Sequence, residues 1–147
     1  MNAYLIIGEP NTRKSSLLRS LTGCFNRSDR DIQLTDGTSI SIYARVSSLQ
    51  ESKTTAKDFI TEVQKRGCAN VVFCLQPDPN PVFPMLYPDA QLYISAFEEA
   101  GWSFAKTAVV GIHPISPMLP HVARFPRAAT LPINVLAKNI STHFDWQ

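Results

Sequence analysis

Gly8, Lys14 and Ser15 stand at the spacing of a phosphate-binding loop, with Glu9, Pro10, Asn11, Thr12 and Arg13 between them. The pattern is G-x-x-x-x-G-K-[ST], except that Arg13 replaces the second glycine. The chemistry of such a loop is anion capture. Successive backbone N–H groups point inward, a helix that starts at Lys14 turns its positive end toward them, and the Lys14 ammonium adds a full charge. Asn11, Thr12, Arg13 and Ser16 complete the candidate phosphate-binding set with Gly8, Lys14 and Ser15, and the Ser15 hydroxyl is also a candidate Mg²⁺ ligand. Arg13 has two readings. If its position requires positive φ, arginine costs on the order of 1–2 kcal/mol and the loop is reshaped. Its guanidinium can instead pair with a phosphate through two parallel hydrogen bonds.

Elements on either side must hold this loop in place. Ala3 to Ile7 is a short apolar run ended by Gly8, which reads as a buried strand. Leu17, Leu18 and Leu21 recur at helical spacing from Lys14, and Gly23 stands where a helix ends in the left-handed conformation. Asp31 to Leu34 and Ser39 to Val46 alternate around the turn signal Asp36-Gly37, so an antiparallel hairpin follows. Thr55 and Asp58 resemble a capping box before a stripe of Ala56, Phe59, Ile60 and Val63 that Gly67 terminates. Ala69 to Leu75 reads as a strand, Asp89 to Ala100 as a helix, Thr107 to Ile112 as a strand, and Ile133 to Phe144 as a closing helix opened by Thr130 and Pro132. Ten of the eleven prolines crowd 77–88 and 114–132, and both stretches read as loops. Alternating strands and helices predict an α/β domain over residues 1–147, with a mostly parallel sheet, helices on both faces and a ligand site at the carboxyl ends of the strands. One peripheral strand or helix is missing from this count, and a homodimer would cover the exposed edge.

The resemblance extends beyond the bare loop. Gly8-x-Pro10-Asn11-x-x-Lys14-Ser15-Ser16-Leu17-Leu18-x-x-Leu21-Thr22-Gly23 is similar to the first motif of the Era-like and tRNA-modification GTPases, which reads G-x-P-N-x-G-K-S-[ST]-L. The order of elements also resembles the Ras-like arrangement, a three-layer P-loop NTPase fold with an antiparallel second strand. The resemblance implies a small GTPase-like protein that binds GTP or ATP with Mg²⁺. Departures qualify it. Where the family has D-x-x-G after the third strand, Ala44 to Glu51 offers neither Asp nor Gly, and N-K-x-D is replaced by Gly111 to Ser116. Hydrolysis is therefore expected to be slow or absent, and guanine selectivity has no visible carrier.

Other residues carry weaker readings. Thr35 and Thr38 are candidates for a switch threonine, and Asp78 for an acidic Mg²⁺ anchor, although Pro77 to Asn80 is also ordinary turn chemistry. Arg124 and Arg127 are candidates for lid arginines in a third reading, a small P-loop kinase, against which the hairpin argues. Cys24, Cys68 and Cys74 have no metal-ligand spacing and read as buried thiols. His113, His121 and His143 have no G-x-S-x-G partner and read as structural, while Trp102 and Trp146 read as packing residues. Five basic side chains in the first thirty residues, against Glu9 and Asp29, read as loop and solvated charges rather than a nucleic-acid face.

Composition sets the outer bounds. A chain of 147 residues with 44% hydrophobic and 18% charged residues can build one core, which excludes a disordered tail and a two-domain enzyme. A net charge of +2 argues for neither a nucleic-acid nor a membrane coat. No apolar run of about 18 residues and no secretory pattern at the start lead to the expectation of a cytoplasmic protein without a membrane partner. The rival to nucleotide binding is a nucleotide-free descendant without cofactor, in which proline-stiffened loops meet a protein partner.

Overall fold

Residues 3–7 are apolar on both sides of the pleat, so a strand built from them is stable only inside a sheet covered on both faces. The computed structural model describes residues 1–10, 13–23, 27–126 and 132–147, and it puts this strand at the centre. Strand β1 (Asn2–Gly8) leads to helix α1 (Lys14–Thr22) and the hairpin strands β2 (Arg27–Gln33) and β3 (Ser39–Arg45). Helix α2 (Ala56–Arg66), strand β4 (Asn70–Leu75), helix α3 (Ala90–Glu99), strands β5 (Ser103–Val110) and β6 (Val122–Phe125), and helix α4 (Ile133–His143) follow. The sheet order is β2-β3-β4-β1-β5-β6, with β2 antiparallel to β3 and every other pairing parallel.

The period-2 alternation of the strands divides the core into two layers. Ala3, Leu5 and Ile7 of β1 and Val71, Phe73 and Leu75 of β4 face Phe59 and Val63 of α2 and Tyr93, Ile94 and Phe97 of α3. Tyr4, Ile6, Val72 and Cys74 face Leu17 and Leu18 of α1 and Leu136, Ala137 and Ile140 of α4. Helices thus cover both faces, as the α/β rhythm predicts. The expected punctuation also holds: the Thr55 hydroxyl accepts from the Asp58 N–H at 3.1 Å, and Gly23 and Gly67 close their helices at φ 74° and 67°. Trp102 stacks on Phe97 with centroids 4.4 Å apart, and Trp146 packs edge-on against Tyr4 and Phe144, so both tryptophans are packing residues.

Three features differ from the sequence reading. First, the second proline-rich stretch is not all loop. Val122 to Phe125 pairs with Thr107 to Val110 as a sixth strand, supplying the missing peripheral element. The four residues Val122 to Phe125 suffice because an edge strand bonds a neighbour on one side only. The other edge, β2, carries Arg27, Asp29, Arg30 and Asp31, charges that oppose edge-to-edge pairing. Second, β2 and β5 begin earlier than their apolar patterns, at Arg27 and Ser103, because ladder hydrogen bonds extend past the buried residues. Third, β4 is inserted between β1 and β3, a strand order that the sequence reading did not give.

Burial sets an alkaline limit. Burial pushes the Cys74 thiol from its ordinary 9 up to about 12, and burial with the neighbouring Glu62 pushes the Tyr43 phenol up to about 12. Both groups are neutral when folded and lose their protons sooner in the unfolded chain. The stability they confer is complete below about pH 9 and is lost as pH rises toward 12. The urea midpoint is expected to fall through this window, and less steeply in Cys74→Ala. A profile of equal slope in the two proteins counts against this origin.

Candidate functional site

At the carboxyl edge of the sheet, hydrogen bonds draw together the starts of α1, the segment after β3 and the segment after β4. Gly8 is buried as the last residue of β1, where it pairs with Val110. Arg13 then takes up the left-handed conformation, φ 59° and ψ 33°, immediately before α1. This is the conformation that a glycine at this place adopts without strain, so the conditional cost attached to Arg13 applies. Arg13 gives α1 no side-chain cap, and the first turn contains no acidic residue. The positive end of the helix there favours an anion.

Lys14 is almost fully buried, with its side chain 2% exposed. Its ammonium donates to the Glu9 carbonyl at 3.3 Å and to the Glu51 carboxylate at 3.1 Å. Gln76, the first residue after β4, donates its amide N–H to the same Glu51 oxygen. Gln50 and Gln76 exchange two further bonds: the Gln76 backbone N–H donates to Gln50 Oε1 at 2.9 Å, and Gln50 Nε2 donates to the Gln76 carbonyl at 2.8 Å. The Ser48 hydroxyl accepts from the Glu51 N–H. Because β4 separates β1 from β3, Gln76 is the strand-end residue best placed to link Lys14 with the 48–54 turn.

Other candidates fare unequally. Ser15 donates to the Val46 carbonyl over a long 3.4 Å, so its hydroxyl remains available at the helix start, and Ser16 is half-buried one residue further on. Asp78 is exposed and faces His113 at 3.5 Å, linking the loops after β4 and β5. Among the described residues, no group of three or more His, Cys, Asp or Glu is placed to hold a metal. The Asp36 carboxylate holds Thr38 in the hairpin turn, at 2.9 Å to its N–H and 2.6 Å to its hydroxyl. That turn precedes β3, which is parallel to β1 within the sheet, so Thr35 and Thr38 lie at the opposite edge and cannot serve a site at Lys14.

Arg124 is no lid residue. Its guanidinium donates to the His113 carbonyl at 2.8 Å and to the Ile115 carbonyl, clamping the β5–β6 loop. His143 Nε2 lies 3.0 Å from the carbonyls of both Thr107 and His121, a structural role. Arg27 and Arg45 line an open cavity of about 480 Å³ with Ser47 and Ser52, but both guanidiniums are paired with Glu62. Cys74 is a buried thiol and Cys68 a half-buried one. Asn11, Thr12, Cys24, Arg127 and Thr130 lie outside the described residues.

The sequence reading passed over Glu51, Gln50 and Gln76. It searched residues 44–51 for D-x-x-G and took the missing Asp and Gly as loss of the hydrolysis switch. The available signal was Glu51 itself, a carboxylate in the segment that follows the third strand. No family model matches the chain, and no curated protein matches it. Fold and site define an α/β protein with a six-stranded mixed sheet and a buried lysine at the start of its first helix. No helix of the described residues is long and apolar enough to cross a membrane.

Arg13→Gly removes the left-handed strain, partly offset by the greater freedom of glycine in the unfolded chain. The net gain is expected to be about 0.5–1 kcal/mol. Denaturant unfolding checks this, and a less stable Arg13→Gly protein would mean that the Arg13 side chain holds the loop.

Proposed function

We propose that the chain is a P-loop-like, GTPase-like protein that binds the phosphates of a nucleoside di- or triphosphate around Gly8 to Ser16. The single observation that carries the reading is Lys14: a buried ammonium on the first residue of an uncapped helix, at the carboxyl end of the central strand. Burying an ammonium is costly unless an anion meets it, and the adjacent helix amides favour the same charge. In this reading Lys14 neutralises phosphate oxygens, the α1 amides donate to them, and Ser15 holds Mg²⁺ when GTP or ATP is bound. The ion supplies charge neutralisation of the phosphate chain. Hydrolysis is slow or absent, because the Glu51 carboxylate is engaged with Lys14 and the segment after the third strand lacks D-x-x-G.

A second reading has its own observation. Val82, Phe83, Met85 and Leu86 are exposed on the proline-braced loop after β4, and Ile112 and Met118 on the loop after β5. Contiguous exposed apolar residues favour a protein contact, so the fold would serve as an interaction module without nucleotide.

Calorimetric titration with GTP, GDP, ATP and ADP in Mg²⁺ separates the two. Micromolar binding is expected, weakened at least about tenfold in Lys14→Ala, the scale of one charge-assisted contact. Absence of binding to all four, or equal binding by Lys14→Ala, sinks the nucleotide reading. The isolated protein is further expected to show no multiple turnover of GTP or ATP, and steady phosphate release abolished by Lys14→Ala would contradict this.

A further inference from the structure

The two members of the Lys14–Glu51 pair differ in freedom. Lys14 is 2% exposed, whereas Glu51 is 42% exposed and has water beside it to move into. The backbone beneath Glu51 is fixed independently of the pair. Gln50 is fully buried, exchanges two bonds with Gln76 and donates to the Pro88 carbonyl at 3.2 Å. The Ser52 and Thr54 backbone N–H groups donate to the carbonyls of Ser48 and Leu49. Swinging the Glu51 carboxylate away from Lys14 therefore requires rotation of one side chain and leaves the turn intact.

We infer that Glu51 is an internal competitor for the phosphate site and the residue that sets its specificity. It occupies Lys14 in the free chain, and a ligand must displace it. The inference rests on the phosphate-binding reading above. A carboxylate ligand gains nothing over Glu51, which already supplies one charge and is held by the chain. A terminal phosphate carries close to two charges near neutral pH and three acceptor oxygens. It can therefore take Lys14, Gln76 and the α1 amides together. The Gln76 amide, which donates to Glu51 in the free chain, passes to the incoming oxygen. The site thus selects phosphates over carboxylates and favours a phosphate chain over a single monoanion.

The test is calorimetric titration of the full chain with inorganic tripolyphosphate, with GTP and ATP in parallel, in wild type, Glu51→Gln, Glu51→Asp and Lys14→Ala, with thermal unfolding of each in the absence of ligand. Glu51→Gln keeps the size of the side chain, and Glu51→Asp keeps its charge while drawing it back from Lys14. Both are expected to bind tripolyphosphate roughly three- to tenfold more tightly than wild type, the factor carried by one partly exposed charged contact. Free Glu51→Gln is expected to melt below wild type, and saturating tripolyphosphate to close the gap. Equal affinity in wild type and both Glu51 variants, with binding lost in Lys14→Ala, overturns the inference and leaves the phosphate reading standing. Weaker binding by Glu51→Gln makes Glu51 part of the ligand's own binding set and likewise overturns it. No binding by wild type or either Glu51 variant overturns both.

Discussion

The central strands β1 and β4 expose almost nothing to water on either face, and the rest of the molecule follows from that constraint. A strand with two apolar faces needs two covering layers, and parallel neighbours need crossovers long enough to hold a helix. α2 and α3 close one face around Phe59, Phe73 and Phe97, while α1 and α4 close the other around Tyr4 and Phe144. With both faces used, polar chemistry has only the edges of the layer. The carboxyl edge receives the start of α1, the 48–54 turn and the two proline-braced loops.

The place of β4 determines the form of the site. Inserted between β1 and β3, it sets Gln76 between the loop that ends at Lys14 and the turn that carries Glu51. A sheet in which the first strand touched the third would bring those two segments together without an intermediary. Here the amide of Gln76 and the ammonium of Lys14 meet on one carboxylate oxygen, so the buried charge is balanced through a residue from a third segment. A buried ammonium with no such partner would cost several kcal/mol. The pair is therefore as much a condition of the local fold as a feature of the site.

Much of this architecture was legible in the residues. Unalternated apolar runs located the central strands and periodicity all four helices, Thr55 and Asp58 marked a helix start, and Gly23 and Gly67 marked helix ends. β6 was hidden because four residues flanked by prolines carry no pattern long enough to stand out, and their pairing with β5 is a tertiary fact. The strand order was hidden for the same reason, since the order of elements along the chain does not determine which strand lies beside which. At the site, Lys14 was legible from spacing alone. Glu51 was not, because its role depends on a turn whose shape comes from Ser48, Gln50 and the end of β4. The reading of Arg124 as a phosphate clamp failed because carbonyl acceptors in its own loop were invisible to a count of charges.

Arg13 and Lys14 are costly in ways that the fold alone does not require. A glycine would pass through the left-handed turn without strain, and an apolar residue would fill the volume of Lys14 without needing a counter-ion. Strain and buried charge in adjacent residues are features that functional sites retain, and they support the proposed reading of an anion at this place. The same turn also reaches the apolar surface. Glu51 touches Lys14, Gln50 anchors Gln76, and the Lys53 ammonium lies 5.4 Å from the centre of the Phe83 ring on the proline-braced loop. Gln50 and the Ser52 and Thr54 backbone bonds hold that turn, so an anion that draws Glu51 off Lys14 turns one side chain and leaves the brace beside Phe83 in place.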